Sequence, residues 1–340
     1  MLIRMLPLLG KTLAELQEVA LSVGLQKFAG KQLAEWLYAR RATSFDEMTN
    51  ISLKGREALK ANYTIGRRAP VKEAVSIDGT RKYLFQIGEQ FVETVYIPEE
   101  DRTTLCVSTQ AGCKMGCKFC MTGTLGFHGN LSAADILNQI FYFDDLSNLV
   151  FMGEGEPMDN LDNVLRALEI MTAPYGPAWS PKRITVSTVG IPAMKRFLDE
   201  SECHVAVSMH NPFAVERVQI MPAEKLFSIT EVVNLLKQYD FSHQRRVSFE
   251  YICWAGQNDT MRHAKELLRL FKGLNCRINL IRFHAGVEDI KNERRFPASD
   301  EKQMEFLRDY LTEHGLTTTI RRSRGEDILA ACGMLVNSLQ

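Results

Sequence analysis

Three cysteines define the chemistry to look for. Cys113, Cys117 and Cys120 form a CxxxCxxC run within GCKMGCKFCMTG. A structural zinc site is ordinarily closed by four protein ligands, whereas three thiolates around a cubane iron-sulfur cluster leave one iron open to an outside ligand. Gly112, Gly116 and Gly123 let the chain fold tightly about such a cluster, and Phe119 can shield it from solvent. Spacing alone also leaves zinc open, with Cys106 or His128 completing the set. A second candidate is Met152-Gly-Glu-Gly-Glu-Pro157. Its Gly155 permits close backbone approach beside the Glu156 carboxylate, a pairing suited to an ammonium group.

Positioning these residues requires a frame, and the hydrophobic pattern supplies one. Short β-branched runs near Leu105 to Thr109, Leu149 to Met152, Ile184 to Ser187, Val205 to Ser208, Val247 to Ile252 and Ile278 to Phe283 alternate with amphipathic helical segments. Ser132 with Asp135 forms a capping box, and Glu231 to Tyr239 carries Val232, Leu235 and Leu236 at helical spacing. Six such units imply a parallel sheet, open and doubly wound or rolled into a barrel. In either, ligands collect at the carboxyl ends of the strands. Ahead of these units, Val71 to Ile97 alternates with period two around an Asp78-Gly79 turn, with Glu93 on the face of Phe91 and Val95. Leu13, Leu16, Ala20 and Val23, then Leu33, Trp36 and Leu37, mark a helical N-terminal segment. The expected divisions are a helical accessory domain over 1–68, a joining β-hairpin over 69–100, and an α/β core over 101–340.

The 340 residues contain 41 Lys plus Arg and 41 Asp plus Glu, so no bulk charge attracts a polyanion and any such site needs local patches. No run approaches the roughly 18 apolar residues of a membrane span. A cytoplasmic protein is expected, and eight cysteines are too few for a disulfide scaffold.

The cysteine run after a first core strand resembles the signature of radical S-adenosylmethionine (SAM) enzymes. A narrower resemblance follows from VETVYIPEEDRTTLCVSTQAGCKMGCKFCMTGTLGFHGNL, MGEGEP, VSTVG, VSMHNP and RGEDILAACGML. Together these resemble the RlmN/Cfr family of radical-SAM RNA methyltransferases, and GLQKFAGKQLAEWLY is similar to that family's accessory domain. The resemblance implies a partial (β/α)6 TIM-like barrel. It implies a 4Fe-4S cluster on Cys113, Cys117 and Cys120, and SAM, two molecules per turnover, held by Gly155, Glu156, Ser187, Ser208, Met209 and His210. Cys332 would carry the transferred carbon, Cys106 would resolve the adduct and leave a disulfide, and Glu93 matches a residue assigned as a general base. Cys203, Cys253 and Cys276 match nothing and default to core.

The implied reaction is methylation of adenine at C2 in 23S rRNA, with the adenosine beside the tRNA anticodon as a further target; C8 methylation, or another RNA, is the alternative. The implied partners are RNA, an electron-donating reductase such as flavodoxin or ferredoxin, and no membrane, the chain acting as a monomer. Arg40-Arg41, Arg67-Arg68, Arg245-Arg246, Arg294-Arg295 and Arg321-Arg322 with Arg324 are the candidate phosphate contacts. One position departs from the family: His284 stands where an asparagine contacts SAM. The competing class, a non-catalytic RNA-binding protein with structural zinc, leaves Cys106, Cys332 and Glu156 without roles.

Overall fold

A computed structural model of the chain describes residues 5–242, 245–284 and 296–335. At the Asp78-Gly79 turn, Gly79 takes a φ of +85°. Lys72–Val75 (β1) thereby folds back on Arg81–Ile87 (β2). Gln90–Pro98 (β3) pairs antiparallel with β2 and with Thr103–Cys106 (β4). From β4 onward every neighbour is parallel: Asn148–Phe151 (β5), Ile184–Thr188 (β6), His204–Ser208 (β7), Val247–Cys253 (β8), Arg277–Arg282 (β9) and Thr317–Ile320 (β10). One sheet of ten strands results, in the order β10 to β1.

All six expected strands are present, and β10 is a seventh parallel one. Its sequence, TTTI, is β-branched but polar, and only Thr318 of the four is buried, so an apolar pattern could not announce it. Helices cover the outer face. Ala133–Phe141 and Ile229–Leu236 start from Ser132–Asp135 and Ser228–Glu231 capping boxes.

The sheet curls. Flat strands lie about 4.8 Å apart, so β5 and β10, five places removed, would be separated by about 24 Å. Instead Arg321, just past β10, brings Nη1 to 3.5 Å from Sδ of Met152, just past β5. That closure makes a barrel mouth at the carboxyl ends, as the radical-SAM resemblance implies.

Helices Leu13–Ser22, Ala29–Ala34 and Leu53–Asn62 build the N-terminal segment. Its Leu16, Leu33 and Tyr38 belong to the same continuous buried cluster as Leu137 and Ile140 of the core. Arginines lock this joint. Arg41 donates to the Phe143 carbonyl and the Asp144 carboxylate, Arg67 to the carbonyls of Arg41 and Phe141, and Arg68 to Asp135. Among the described residues no helix is long and apolar enough to cross a membrane.

Candidate functional site

Two adjoining cavities open at the barrel mouth. Cys113, Cys117, Cys120, Gly155, Glu156, Ser187, Ser208 and His210 line the inner one. Cys106, Arg102, His284, Arg322 and Arg324 line the outer one. Cys120, Met152, Arg321, Cys332 and Gly333 border both, so the two are lobes of one space.

In the inner lobe the cluster loop leaves β4 and returns through a short ladder of Gln110–Gly112 with Phe127–Asn130. Gly112, at φ +68°, must be glycine, because a Cβ there would lie 1.9 Å from the Gly126 carbonyl oxygen. Burial pushes the Cys113 thiol up to about 12 and raises Cys117 and Cys120; Cys120 raises Cys113 further, and Cys120 and Cys113 both raise Cys117. Three mutually close thiols that resist ionisation fit a cationic group that would hold them as thiolates. Among the described residues, no three His, Cys, Asp or Glu side chains are gathered around a single-ion position. Neither residue that could complete a zinc set, Cys106 or His128, joins the three thiols on the inner wall. Cys106 packs instead against Val95 and Leu335, and the exposed His128 bonds the Leu125 carbonyl.

The loops after the strands are fixed by buried polar groups. Glu156 accepts from the backbone N–H of Met158 at 3.0 Å and of Val189 at 2.8 Å, which ties the β5 loop to the β6 loop. Burial pushes its carboxyl up to about 7. Gly155 sits at φ +95° with Gln110 where a Cβ would go. Arg217, fully buried, donates to the carbonyls of Met209, Val189 and Ser208 and pairs with Glu224, fixing the ends of β6 and β7. His210 holds a left-handed φ of 52°, accepts the Ile252 N–H on Nδ1, and stands edge-on to Phe119. Burial, helped by the Arg217 charge, lowers its pKa to about 3, so it is neutral with its proton on Nε2.

Two of the residues expected to contact the cofactor do not line the inner lobe. The Met209 side chain enters the hydrophobic core and is absent from the lobe wall; its backbone alone faces the loop machinery. His284 lines only the outer lobe, where Nε2 lies 2.7 Å from Ser323 Oγ. Ser187 and Ser208 do reach the inner lobe.

Cys332 is exposed and sits on a strap, residues 321–335, that crosses the mouth. The Met121 N–H donates to the Gly333 carbonyl and Thr122 Oγ1 to that of Leu335, binding the strap to the cluster loop. Asp327 accepts from Ser76 and Ile77, and Asp78 from Gly325, binding it to the hairpin. Glu93 lies beneath the strap and not on either lobe's wall among the described residues. It forms a fully buried ion pair at 3.0 Å with Lys82, whose ammonium also reaches the Leu329 carbonyl at 3.2 Å. Cys106 faces Cys332: burial, then the Cys332 charge, push its thiol up to about 12, with Arg321 opposing. All eight cysteines are free.

Three contributors, Glu250, Glu154 and Arg217, have no role in the sequence reading, and a fourth, Arg321, has a different one there. Arg321 was noted as a phosphate contact, yet the strand-end rule applied to TTTI would have put it at the mouth; the charge of Cys332 and then of Glu250 raise its pKa. Glu250 alternates with core residues Phe249 and Tyr251 and accepts from Asn279 and Arg321. Glu154 accepts the N–H of Glu93 at 2.7 Å, and burial pushes it up to about 8. Its signal was a second carboxylate in MGEGEP. For Arg217 no local signal existed.

Comparison with known proteins gives concordant matches. Residues 6–65 match the ribosomal RNA large subunit methyltransferase N-terminal domain, and residues 107–271 the radical SAM superfamily. A probable dual-specificity RNA methyltransferase RlmN of Bacteroides thetaiotaomicron is 58% identical, over 98% of this chain and 97% of that protein. A protein of the same description from Christiangramia forsetii is 40% identical over 96% and 95%. The crystal structure of a radical SAM methyltransferase from Sphaerobacter thermophilus superposes with a TM-score of 0.90 at 34% identity, covering 97% of this chain and 99% of that one.

Proposed function

The chain belongs to the RlmN family, SAM-dependent RNA methyltransferases of the radical SAM superfamily, and from that premise we propose that it methylates C2 of an adenine in 23S rRNA, and the adenosine beside the tRNA anticodon, in the cytoplasm. The observation that carries this reading is the position of Cys332 on the wall shared by the two lobes, within reach of SAM on one side and of an incoming base on the other.

An adenine ring carbon is too weak a nucleophile to displace a methyl group from SAM. Cys332 is not, and its sulfur would take the methyl group of one SAM. The bound cluster, held by Cys113, Cys117 and Cys120, would supply the electron that splits a second SAM. Gly155 and Glu156 would hold the methionine end, the Glu156 carboxylate facing the ammonium. Ser187, Ser208 and neutral His210 would line the remainder as uncharged contacts. Hydrogen loss from the S-methyl group would leave a carbon radical on Cys332 that bonds to the ring. The ring adduct would lose its ring proton and return one electron to the cluster; the Cys106 thiolate could then attack the Cys332 sulfur, breaking its bond to the methylene, which takes up a proton and leaves as methyladenine while the disulfide forms. The ring proton needs an acceptor, Cys106 or Glu93. Cys106 faces the space directly; the Lys82–Glu93 pair supports the strap from below.

The test is mass spectrometry of ribosomal and transfer RNA from cells with and without the gene. 2-Methyladenosine present only with the gene supports the proposal; 8-methyladenosine in its place refutes the C2 assignment, and no change in either refutes the function.

A further inference from the structure

The arginines singled out in the sequence divide sharply in the structure. Arg41, Arg67, Arg68 and Arg245 spend their donors on carbonyls and carboxylates within the fold, Arg245 on the Leu198 carbonyl at 2.7 Å. Arg40 pairs with Glu35 and stacks over Trp36. Arg294 and Arg295 lie outside the described residues. Arg322 and Arg324 are different. Neither makes a hydrogen bond to a described residue, although both line the outer lobe.

Arg324 is the more telling. Among the described residues its Nε is buried without a partner, and its terminal nitrogens form only long ion pairs, 3.9 Å to Asp78 and 3.8 Å to Glu99, beyond hydrogen-bond distance. A buried guanidinium Nε without a partner is costly unless a ligand completes it. The backbone beside it is not loose: Gly325 adopts φ +63° and donates to Asp78 Oδ2 at 3.0 Å, so the arginine is held in advance in its position. Four arginines line the lobe against Glu99, the one carboxylate on its wall among the described residues. Arg102 bonds Glu99 and, with Arg324 and Arg322, keeps its carboxyl below the usual value, so its charge is already balanced. The remaining positive charge faces a cavity that meets Cys332.

We propose that Arg322 and Arg324 form a phosphate subsite in the outer lobe, holding an RNA phosphodiester next to the nucleotide whose adenine reaches Cys332. The proposal rests on the RNA methyltransferase reading and specifies how its substrate is gripped. The planar guanidinium of Arg324 matches two phosphate oxygens; Arg322, exposed at the rim, adds charge. A base drawn from its stack into the barrel mouth turns its own backbone outward, toward this rim.

The experiment uses the full-length holoprotein and a fluorescein-labelled RNA stem-loop with one unpaired adenosine, titrated across a range of salt concentrations. Arg324→Gln and Arg322→Gln should each weaken binding about tenfold. Each should also lower the slope of log affinity against log salt by about 0.7 to 0.9. Arg324→Lys should keep the slope while losing part of the affinity, because charge survives and the bidentate geometry does not. A neutral methylphosphonate at a linkage flanking the adenosine should reproduce the loss in the unaltered protein and add little to Arg324→Gln. Unchanged slopes in both glutamine variants, or fully additive losses with the methylphosphonate, would overturn the subsite. Methylation of Cys332 by SAM without RNA, read in the unaltered protein, separates the two levels. Its absence overturns the function and the subsite with it, whereas its presence alongside unchanged slopes overturns the subsite alone.

Discussion

The two lobes that meet at Cys332 are built on opposite plans. The inner lobe is made of loops that each follow a strand, and buried polar groups tie those loops down: Glu156 bonds two backbone amides, His210 a third, and Arg217, behind the wall, three carbonyls. The outer lobe is made largely by a strap from the far end of the chain, and two of its arginines, Arg322 and Arg324, make no hydrogen bond to a described residue, the buried Nε of Arg324 included. A small cofactor of constant shape suits a pre-formed wall, since reorganisation would only cost affinity. A large polyanion suits a wall with donors left over. The difference predicts which damage each lobe tolerates.

The sharpest contrast comes from the inner lobe. Replacing Cys113, Cys117 or Cys120 by alanine should remove the broad iron-sulfur absorbance and all SAM cleavage. Retained absorbance with full iron content in all three variants would end the cluster assignment. Cys106→Ala, at the boundary, should keep iron and cleave SAM, yet accumulate protein covalently linked to RNA through Cys332 on denaturing gels. Loss of iron without such a linkage would make Cys106 a ligand and erase the boundary.

The strap can be loosened from below. Lys82→Met leaves the Glu93 carboxylate buried without its ion pair and should destabilise the protein by about 3–5 kcal/mol in denaturant titration, as removing one partner of a buried pair does. Lys82→Met together with Glu93→Leu should recover much of that loss. If the single and double variants are equally unstable, the pair is not what anchors the strap.

The smallest effect is a pH dependence. Burial raises Glu154 from 4.5 to about 8, so the folded chain binds a proton there that the unfolded chain has released. Its contribution to stability is present below about pH 4.5 and is lost as pH rises toward 8, at no more than about 1.4 kcal/mol per pH unit. Glu154→Gln should flatten that decline in a series of cluster-free unfolding curves. An unaltered slope would mean that Glu154 is ionised in the folded chain throughout.

The lobes also differ in how much of them the sequence revealed. The inner one was legible because its residues follow strands within a few positions: Cys113 after β4, Glu156 after β5, Ser187 at the end of β6 and His210 after β7. Met209 is less legible for a local reason: the residue after a strand can turn its side chain into the core while its backbone serves the loop. The outer lobe was far less legible. Its strap depends on contacts between residues about 250 apart, such as Ser76 with Asp327, and on a strand of threonines that no apolar pattern marks. Glu93 was expected on the strand face, but its partner Lys82 sits on the neighbouring strand, and only the pairing register brings them together.

The most direct test of the account follows one carbon across the boundary. Holoprotein given SAM with a deuterated methyl group, without RNA and under anaerobic conditions, should carry a deuterated methyl on the Cys332 peptide and on no other cysteine. Addition of unmethylated RNA should move that carbon, less one deuterium, into adenine. RNA that gains the intact deuterated methyl group while Cys332 stays unmodified would contradict the account, because the carbon would then have reached the ring without the thiol that stands on the wall shared by both lobes.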